Sequence, residues 1–384
     1  MKVLIIYPTL THPVNAGNKQ WVMAQVEELR NLGHDVYMLC VNIPGLKESI
    51  VVNKEEIRKT KEYWGDHIFI YNASKWLRFI TSATISYRKK FHRGYFKCDD
   101  LYPNGLTKFT NKLHSKFQFD ACIVNYYWLT KVLDDIDIKI KVVNTHDVFA
   151  YRDLVVDMPK SWMCTTPNEE AKGIQRADYA LALQDEESVY LSRIAPKTKV
   201  LNVYCPYKLE EQPPVFNHNL VFLSSAGSVN IEGFEWFVKN IYSTLIKKIP
   251  DIKIVVAGNI CNYLSEYKNN PHFELIGRVE DPADLYKYGD VAINPCVHGT
   301  GLKIKTFEAL SYGKICMTHP HSIIGIYKKD TAPLFSSESA SDWAAYLNEI
   351  WSNPTILKNK MKDSINYINE MNEHINKEYK KIFE

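Results

Sequence analysis

The segment with the most chemistry in it runs His298-Gly-Thr-Gly301-Leu302-Lys303-Ile-Lys305-Thr-Phe-Glu308-Ala-Leu-Ser-Tyr-Gly-Lys314. It follows a strand pattern, Val291-Ala-Ile-Asn-Pro295, and opens a helical one. Two glycines let a backbone come close to a ligand, a helix start presents unbonded N–H groups and a positive dipole end, and two lysines add cations. That combination suits a diphosphate. Glu308 lies farther along the helix, where a carboxylate accepts hydrogen bonds from the two hydroxyls of a ribose. An ordinary strand–turn–helix with two solvated lysines would explain a bare Gly-x-Gly, but not its company with Glu308 and the closing Tyr-Gly-Lys.

A second constellation, Val142-Val-Asn-Thr-His146-Asp147-Val-Phe-Ala-Tyr-Arg152, ends another strand pattern. His146, Asp147 and Arg152 are candidates for contact with a ligand, the arginine with phosphate. The plainer alternative is a His-Asp pair capping a strand end. Asn15-Ala-Gly17-Asn-Lys19 follows the first strand and reads either as a ligand-approaching loop or as a simple connection. Asp135-Ile-Asp137 has the spacing of a metal-binding acidic pair but sits in a charged connection, and His319-Pro-His321 lacks a third ligand at any useful spacing. No metal is expected. The eight cysteines fall in no C-x2-C pair and read as small buried hydrophobes in a reducing compartment.

The elements that position these residues follow from the apolar runs. Val3–Tyr7 is a continuous hydrophobic strand, a helix is expected from about Trp21 to Asn31, Gly33 ends it, and Val36–Cys40 is the next strand. Strand, helix and strand in that order require a parallel sheet with helices on both faces. The pattern continues to about residue 203, lapses in a polar, Pro-containing stretch at 204–219, and restarts with strands at Leu220–Leu223 and Ile252–Ala257 and a helix expected over Gly233–Lys248. The 384 residues therefore divide into a domain at 1–203, a linker at 204–219, a second domain at 220–360 and a terminal helix at 361–384, which is expected to cross back to the first domain. The fold class is α/β, two Rossmann-like doubly wound domains facing a central cleft.

Composition narrows the function. Lys plus Arg number 47 against 44 Asp plus Glu, a net charge of +3, which excludes a generic polyanion binder. Hydrophobic residues make up 46%, so the chain is globular, and no run reaches the roughly 18 apolar residues of a membrane span. The start MKVLIIYPTL reads as a buried strand and not as a signal peptide, which places the chain in the cytoplasm. One segment departs from the balance. Residues 75–97 hold seven Lys or Arg, no acid and interleaved aromatics. Such a segment suits anionic lipid headgroups, giving a peripheral place at the inner face of a membrane, or equally an insertion helix that packs its aromatics and solvates its charges. Nucleic-acid binding is not expected.

The segment 298–314 resembles the donor-binding motif of GT-B-fold glycosyltransferases of the family-4 type (glycosyl transferases group 1). Phe273-Glu-Leu-Ile-Gly277-Arg278-Val279-Glu-Asp281 resembles that family's base-binding loop. Glu169–Glu187 resembles the end of its first domain, and Val221–Phe237 the opening of its second. The resemblance implies a catalytic set of His146, Asp147 and His298, and a donor-binding set of Gly17, Gly227, Arg278, Val279, Gly301, Leu302, Lys303, Lys305 and Glu308. Two departures stand out. The first glutamate of the family's Glu-x7-Glu motif is missing, with His298 near its place. The family's Arg-x4-Lys phosphate pair is also missing, and Lys303 and Lys305 are the substitutes. The implied activity is transfer of a hexose-like sugar from a nucleotide diphosphate sugar to a saccharide or lipid-linked acceptor. It would proceed with retention, without metal or cofactor, in envelope polysaccharide or glycoconjugate synthesis. A GT-B nucleotide-sugar epimerase and a non-catalytic nucleotide-sugar-binding partner are the alternatives.

Overall fold

A computed structural model describes residues 1–14, 16–43, 54–72, 76, 79, 80, 82, 83, 86, 87, 95–154, 164–299 and 301–384. The chain forms two units, Met1–Pro206 with His374–Glu384, and Tyr207–Glu373. Most of the basic segment 75–97 lies outside the described residues, as does Asn15. Trp76, Phe79 and Tyr87 are described and strongly exposed.

In the first unit the apolar runs become a seven-stranded parallel sheet. Its strands are β1 (Lys2–Tyr7), β2 (Asp35–Asn42), β3 (Ile68–Asn72), β4 (Ala121–Asn125), β5 (Ile140–Asn144), β6 (Tyr179–Ala182) and β7 (Lys199–Asn202), in the order β3-β2-β1-β4-β5-β6-β7. The order reverses between β1 and β4, where loops leave the strand ends in opposite directions and open a crevice. Val3 to Tyr7 are wholly buried, as a strand covered on both faces must be. The helix Gly17–Asn31 buries Trp21, Val22, Val26 and Leu29 and begins a turn earlier than its apolar pattern suggests, so Gly17 lies in its first turn. The last residues of the chain pack on this unit. Tyr379 accepts a hydrogen bond from Gln25 at 3.0 Å, and Asn376 donates to Glu28 at 2.8 Å.

The second unit has a six-stranded parallel sheet of β8 (Asn219–Leu223), β9 (Lys253–Ala257), β10 (Phe273–Gly277), β11 (Val291–Asn294), β12 (Ile315–Thr318) and β13 (Leu334–Ser336), in the order β10-β9-β8-β11-β12-β13. Phe222, Phe234, Phe237 and Trp343 centre its core. The helix expected from Gly233 starts at Ser228 and reaches Lys248 through one wider turn at Val238–Tyr242. Gly233 is therefore not a helix start but a point of close approach. A Cβ there would sit 2.9 Å from the Pro295 carbonyl oxygen and 3.0 Å from Cys296 Cα. This contact sets the loop after β8 beside the loop after β11. Among the described residues no helix is long and apolar enough to cross a membrane.

One buried ion pair anchors the entry into this sheet. Asp290 accepts hydrogen bonds from the amides of Val215 and Phe216 at 2.8–3.1 Å, and its carboxylate lies 3.9 Å from Lys314 Nζ, with both side chains fully buried. Burial pushes Lys314 down to about 8. The terminal lysine of the 298–314 segment is thus structural. Removing one partner of a buried pair strands the other charge, so Asp290→Ala should lower unfolding free energy by about 3–5 kcal/mol, read by urea denaturation. A loss below about 1 kcal/mol would refute this anchoring role.

Candidate functional site

In the second unit the 298–314 segment folds as its residues suggest. Gly299 and Gly301 have φ of 108° and 78°, backbone that side chains rarely adopt, and the helix Ile304–Ser311 follows directly. The Gly299 carbonyl accepts from Lys303 Nζ at 3.1 Å and hydrogen-bonds His321 Nε2 at 3.0 Å, which ties the loop in place. His321, left aside as a metal ligand, is a loop brace. Among the described residues no group of three or more His, Cys, Asp or Glu is placed to hold a metal.

Lys305 turns back under the loop after β8. Its Nζ donates to Ser224 Oγ at 2.7 Å and Asn230 Oδ1 at 2.9 Å, and burial lowers its proton affinity to about 8. An ammonium is thereby brought from the helix after β11 to the end of β8. Sequence reading named the lysine but not its two partners, whose Ser and Asn types carry no signal alone. Glu308 accepts from the Tyr286 hydroxyl at 3.1 Å, and burial outweighs Tyr286 and Lys305 to raise its pKa. Tyr286 was also missed.

The other donor-side residues are looser. Gly227 is exposed with φ −73°, a value open to any residue, and precedes the helix at Ser228. Arg278 is exposed and Val279 half-buried just after β10, and Leu302 is half-buried in the glycine loop. His298 is half-exposed and pairs with Glu232 at 2.8 Å. Gly17 lies in the first unit, in the first turn of the helix Gly17–Asn31.

In the first unit His146 and Asp147 stand at the carboxyl end of β5. The parallel register sets Asn125 opposite Asn144, the last residues of β4 and β5. Asn125 Oδ1 accepts from Asn144 Nδ2 at 3.0 Å and lies 2.7 Å from His146 Nε2. The His146 ring stacks on Tyr126 at 4.2 Å, Tyr126 stacks on Trp128 at 4.5 Å, and Trp21 meets His146 edge-on at 4.9 Å. His146 and Tyr126 both have positive φ, 63° and 72°, strain of about 1–3 kcal/mol each that persists only where surroundings impose it. Burial pushes His146 down to about 3, so the ring is neutral at pH 7.

Asp147 and Glu170 hold the following loop, and Glu187 holds the neighbouring loop after β6. Asp147 pairs with Arg152 at 3.0 Å, which uses the arginine internally. Glu170 accepts from the Phe149 and Ala150 amides and the Tyr190 hydroxyl, and Glu187 from the Leu183 amide and the Gln184 side chain. Burial, helped by Asp147, raises Glu170 to about 7 and Glu187 to about 8.

Residues 217–353 match the family model described as Glycosyl transferases group 1. An uncharacterized 44.6 kDa protein in a cps region of Klebsiella pneumoniae is 22% identical over 335 residues, covering 80% of each chain. Among solved structures, sucrose-phosphate synthase from Thermosynechococcus elongatus aligns with a TM-score of 0.67 at 12% identity, over 100% of this chain and 98% of its own. Anabaena HepE in complex with UDP aligns at 0.65 and 12%, over 99% and 100%.

Glu187 generates a test of the loop's electrostatics. It is protonated when folded up to about pH 8 but ionises near its ordinary 4.5 when unfolded. Its contribution is therefore full below the unfolded value and lost as pH rises through the folded one. Glu187→Gln should accordingly gain melting temperature relative to the parent between pH 5 and pH 8.5. An equal difference at both pH values would show that Glu187 is ionised when folded.

Proposed function

We propose that the chain, which has the GT-B fold and whose residues 217–353 match the glycosyl transferases group 1 model, transfers a sugar from a nucleoside diphosphate sugar to a saccharide or lipid-linked acceptor. The observation that carries this reading is the Lys305 ammonium at the end of β8. A sugar leaves its donor as a diphosphate, and the developing charge needs preorganised cations and N–H groups. Lys305 supplies the charge beside the glycine loop, with the amides at Gly301 and Leu302 along that loop and Lys303 bracing it through the Gly299 and Gly301 carbonyls. Glu308 accepts the ribose hydroxyls, and the backbone at Gly277–Val279 meets the base. His298, near the place of the family's missing sugar-contacting glutamate, takes its part, paired with Glu232 at 2.8 Å.

His146 presents a neutral imidazole. Its low proton affinity suits hydrogen-bonding to a sugar hydroxyl and not acceptance of a whole proton. Retention and independence of metal and cofactor follow from the resemblance, with the lysines neutralising the diphosphate. A role in envelope polysaccharide or glycoconjugate synthesis is supported by the Klebsiella relative's placement in a cps region. A lipid-linked acceptor, and with it a peripheral place on a membrane, is supported by exposed Trp76 and Phe79, whose rings stack at 6.2 Å.

The test combines binding and turnover. A thermal-shift panel of UDP-, GDP- and ADP-sugars identifies the donor. With that donor, Lys305→Ala should lower kcat by about 10²–10³-fold, as loss of one transition-state donor does. Glu308→Ala should raise the Kd of the nucleoside diphosphate by about 10–100-fold, the worth of charged hydrogen bonds. Unchanged activity in both variants would overturn the site. Release of an epimer without acceptor would favour the epimerase, and binding without turnover the non-catalytic partner. A chelator should leave the transfer rate unchanged; loss of rate restored by a divalent cation would overturn metal independence.

A further inference from the structure

Asn125 is wholly buried, and its side-chain amide has only one chemically consistent orientation. Its Nδ2 donates to the Ile6 carbonyl at 3.0 Å on one side, and its Oδ1 accepts from Asn144 Nδ2 at 3.0 Å on the other. Turned over, the amide would set oxygen against the Ile6 oxygen and nitrogen against the Asn144 nitrogen. The oxygen therefore faces His146 Nε2, 2.7 Å away, and an oxygen acceptor requires that this nitrogen carry the hydrogen. In a neutral imidazole the other nitrogen, Nδ1, then holds the lone pair. Among the described residues Nδ1 has no hydrogen-bond partner, and the ring is partly exposed. The stack on Tyr126 and the edge of Trp21 block rotation of the ring, and the positive φ of His146 aims it from the strand end.

We propose that Asn125 is a positioning residue that fixes His146 as the Nε2–H tautomer and offers its Nδ1 as the acceptor for a hydroxyl of the sugar ligand. The ligand class rests on the glycosyltransferase reading, whereas the tautomer does not. Asn125 lies at the end of β4 because the register pairs it with Asn144, so the amide belongs to the sheet and cannot drift with a loop. A hydroxyl donating to Nδ1 is held in one direction, and a ligand group lacking that hydrogen is rejected.

Nitrogen-15 NMR of the full chain, labelled at histidine and without nucleotide sugar, reads the tautomer directly. The His146 signals are identified by their loss in His146→Gln. The expected result is a protonated Nε2 and an unprotonated Nδ1 from pH 6 to 8; the reverse tautomer would overturn the proposal. Asn125→Leu should give mixed tautomers and lower kcat/KM about 10–100-fold. Asn125→Asp, which keeps an oxygen facing Nε2 and, as the buried protonated acid, a hydroxyl to donate to the Ile6 carbonyl, should restore the single tautomer and most of kcat/KM. Asn125→Leu with parental kcat/KM would overturn the positioning role, and where that variant fails to fold, a mixed tautomer in Asn125→Asp does so. Failure of the donor reading appears separately, as a chain with the expected tautomer that binds no nucleotide sugar.

Discussion

Lys305 holds its ammonium half-buried between two neighbouring elements of the second unit, and the packing that brings its partners to it is the constraint on which this region depends. An ammonium buried alone would shed its proton. Ser224 Oγ and Asn230 Oδ1 accept two of its hydrogens, and the affinity that remains, about 8, keeps it charged at neutral pH. Ser224 lies just after β8 and Asn230 in the first turn of the helix that starts at Ser228, while the lysine rises from the helix after β11. Their meeting depends on β8 and β11 being neighbours at the point where strand order reverses. It depends also on Gly233, which lets the helix from Ser228 lie against Pro295 and Cys296. A methyl group at that position would press the two loops apart. The Asp290–Lys314 pair supports the same sheet from its opposite end, fixing the chain at Val215 and Phe216 where it enters β8.

The first unit meets a similar requirement with different chemistry. Its candidate ligand group is a neutral imidazole, so no cation needs holding, but direction matters more. Side-chain amides at the strand ends supply it, with Asn125, Asn144 and the Ile6 carbonyl linking β1, β4 and β5 into one hydrogen-bonded row beneath the ring. The loop that follows is pulled onto the sheet by Glu170, which accepts two consecutive backbone amides. Asp147 and Arg152, which looked from their types like ligand groups, satisfy each other. The strain at His146 and Tyr126 is retained because their stacked rings and these carboxylates leave the backbone no alternative.

The two units illustrate why residue type is an incomplete guide to role. Lys303, Lys305 and Lys314 lie within twelve positions of one another and differ little in local sequence. One braces the glycine loop through carbonyls, one reaches under the neighbouring loop, and one is sealed beside Asp290. Lys303 ends the glycine loop, Lys305 lies in the first turn of the helix and Lys314 precedes β12, so each meets different neighbours.

The amino-acid sequence by itself determined the α/β class, the order of strands and helices and the glycine-lysine-glutamate segment, because these are local. Continuous apolar runs must be buried strands, and Gly301, Lys303, Lys305 and Glu308 share one turn and one helix. Helix starts were less legible, since Gly17 and Gly233 look like breaks and are used inside helices. Only the tertiary structure decided the partners. Lys305 meets residues 81 and 75 positions away, and His146 meets Asn125 across 21. Those distances close through strand order and register, which are set by how whole layers pack. Ser224, Asn230 and Asn125 become informative only once the sheets bring them opposite a charge or a ring.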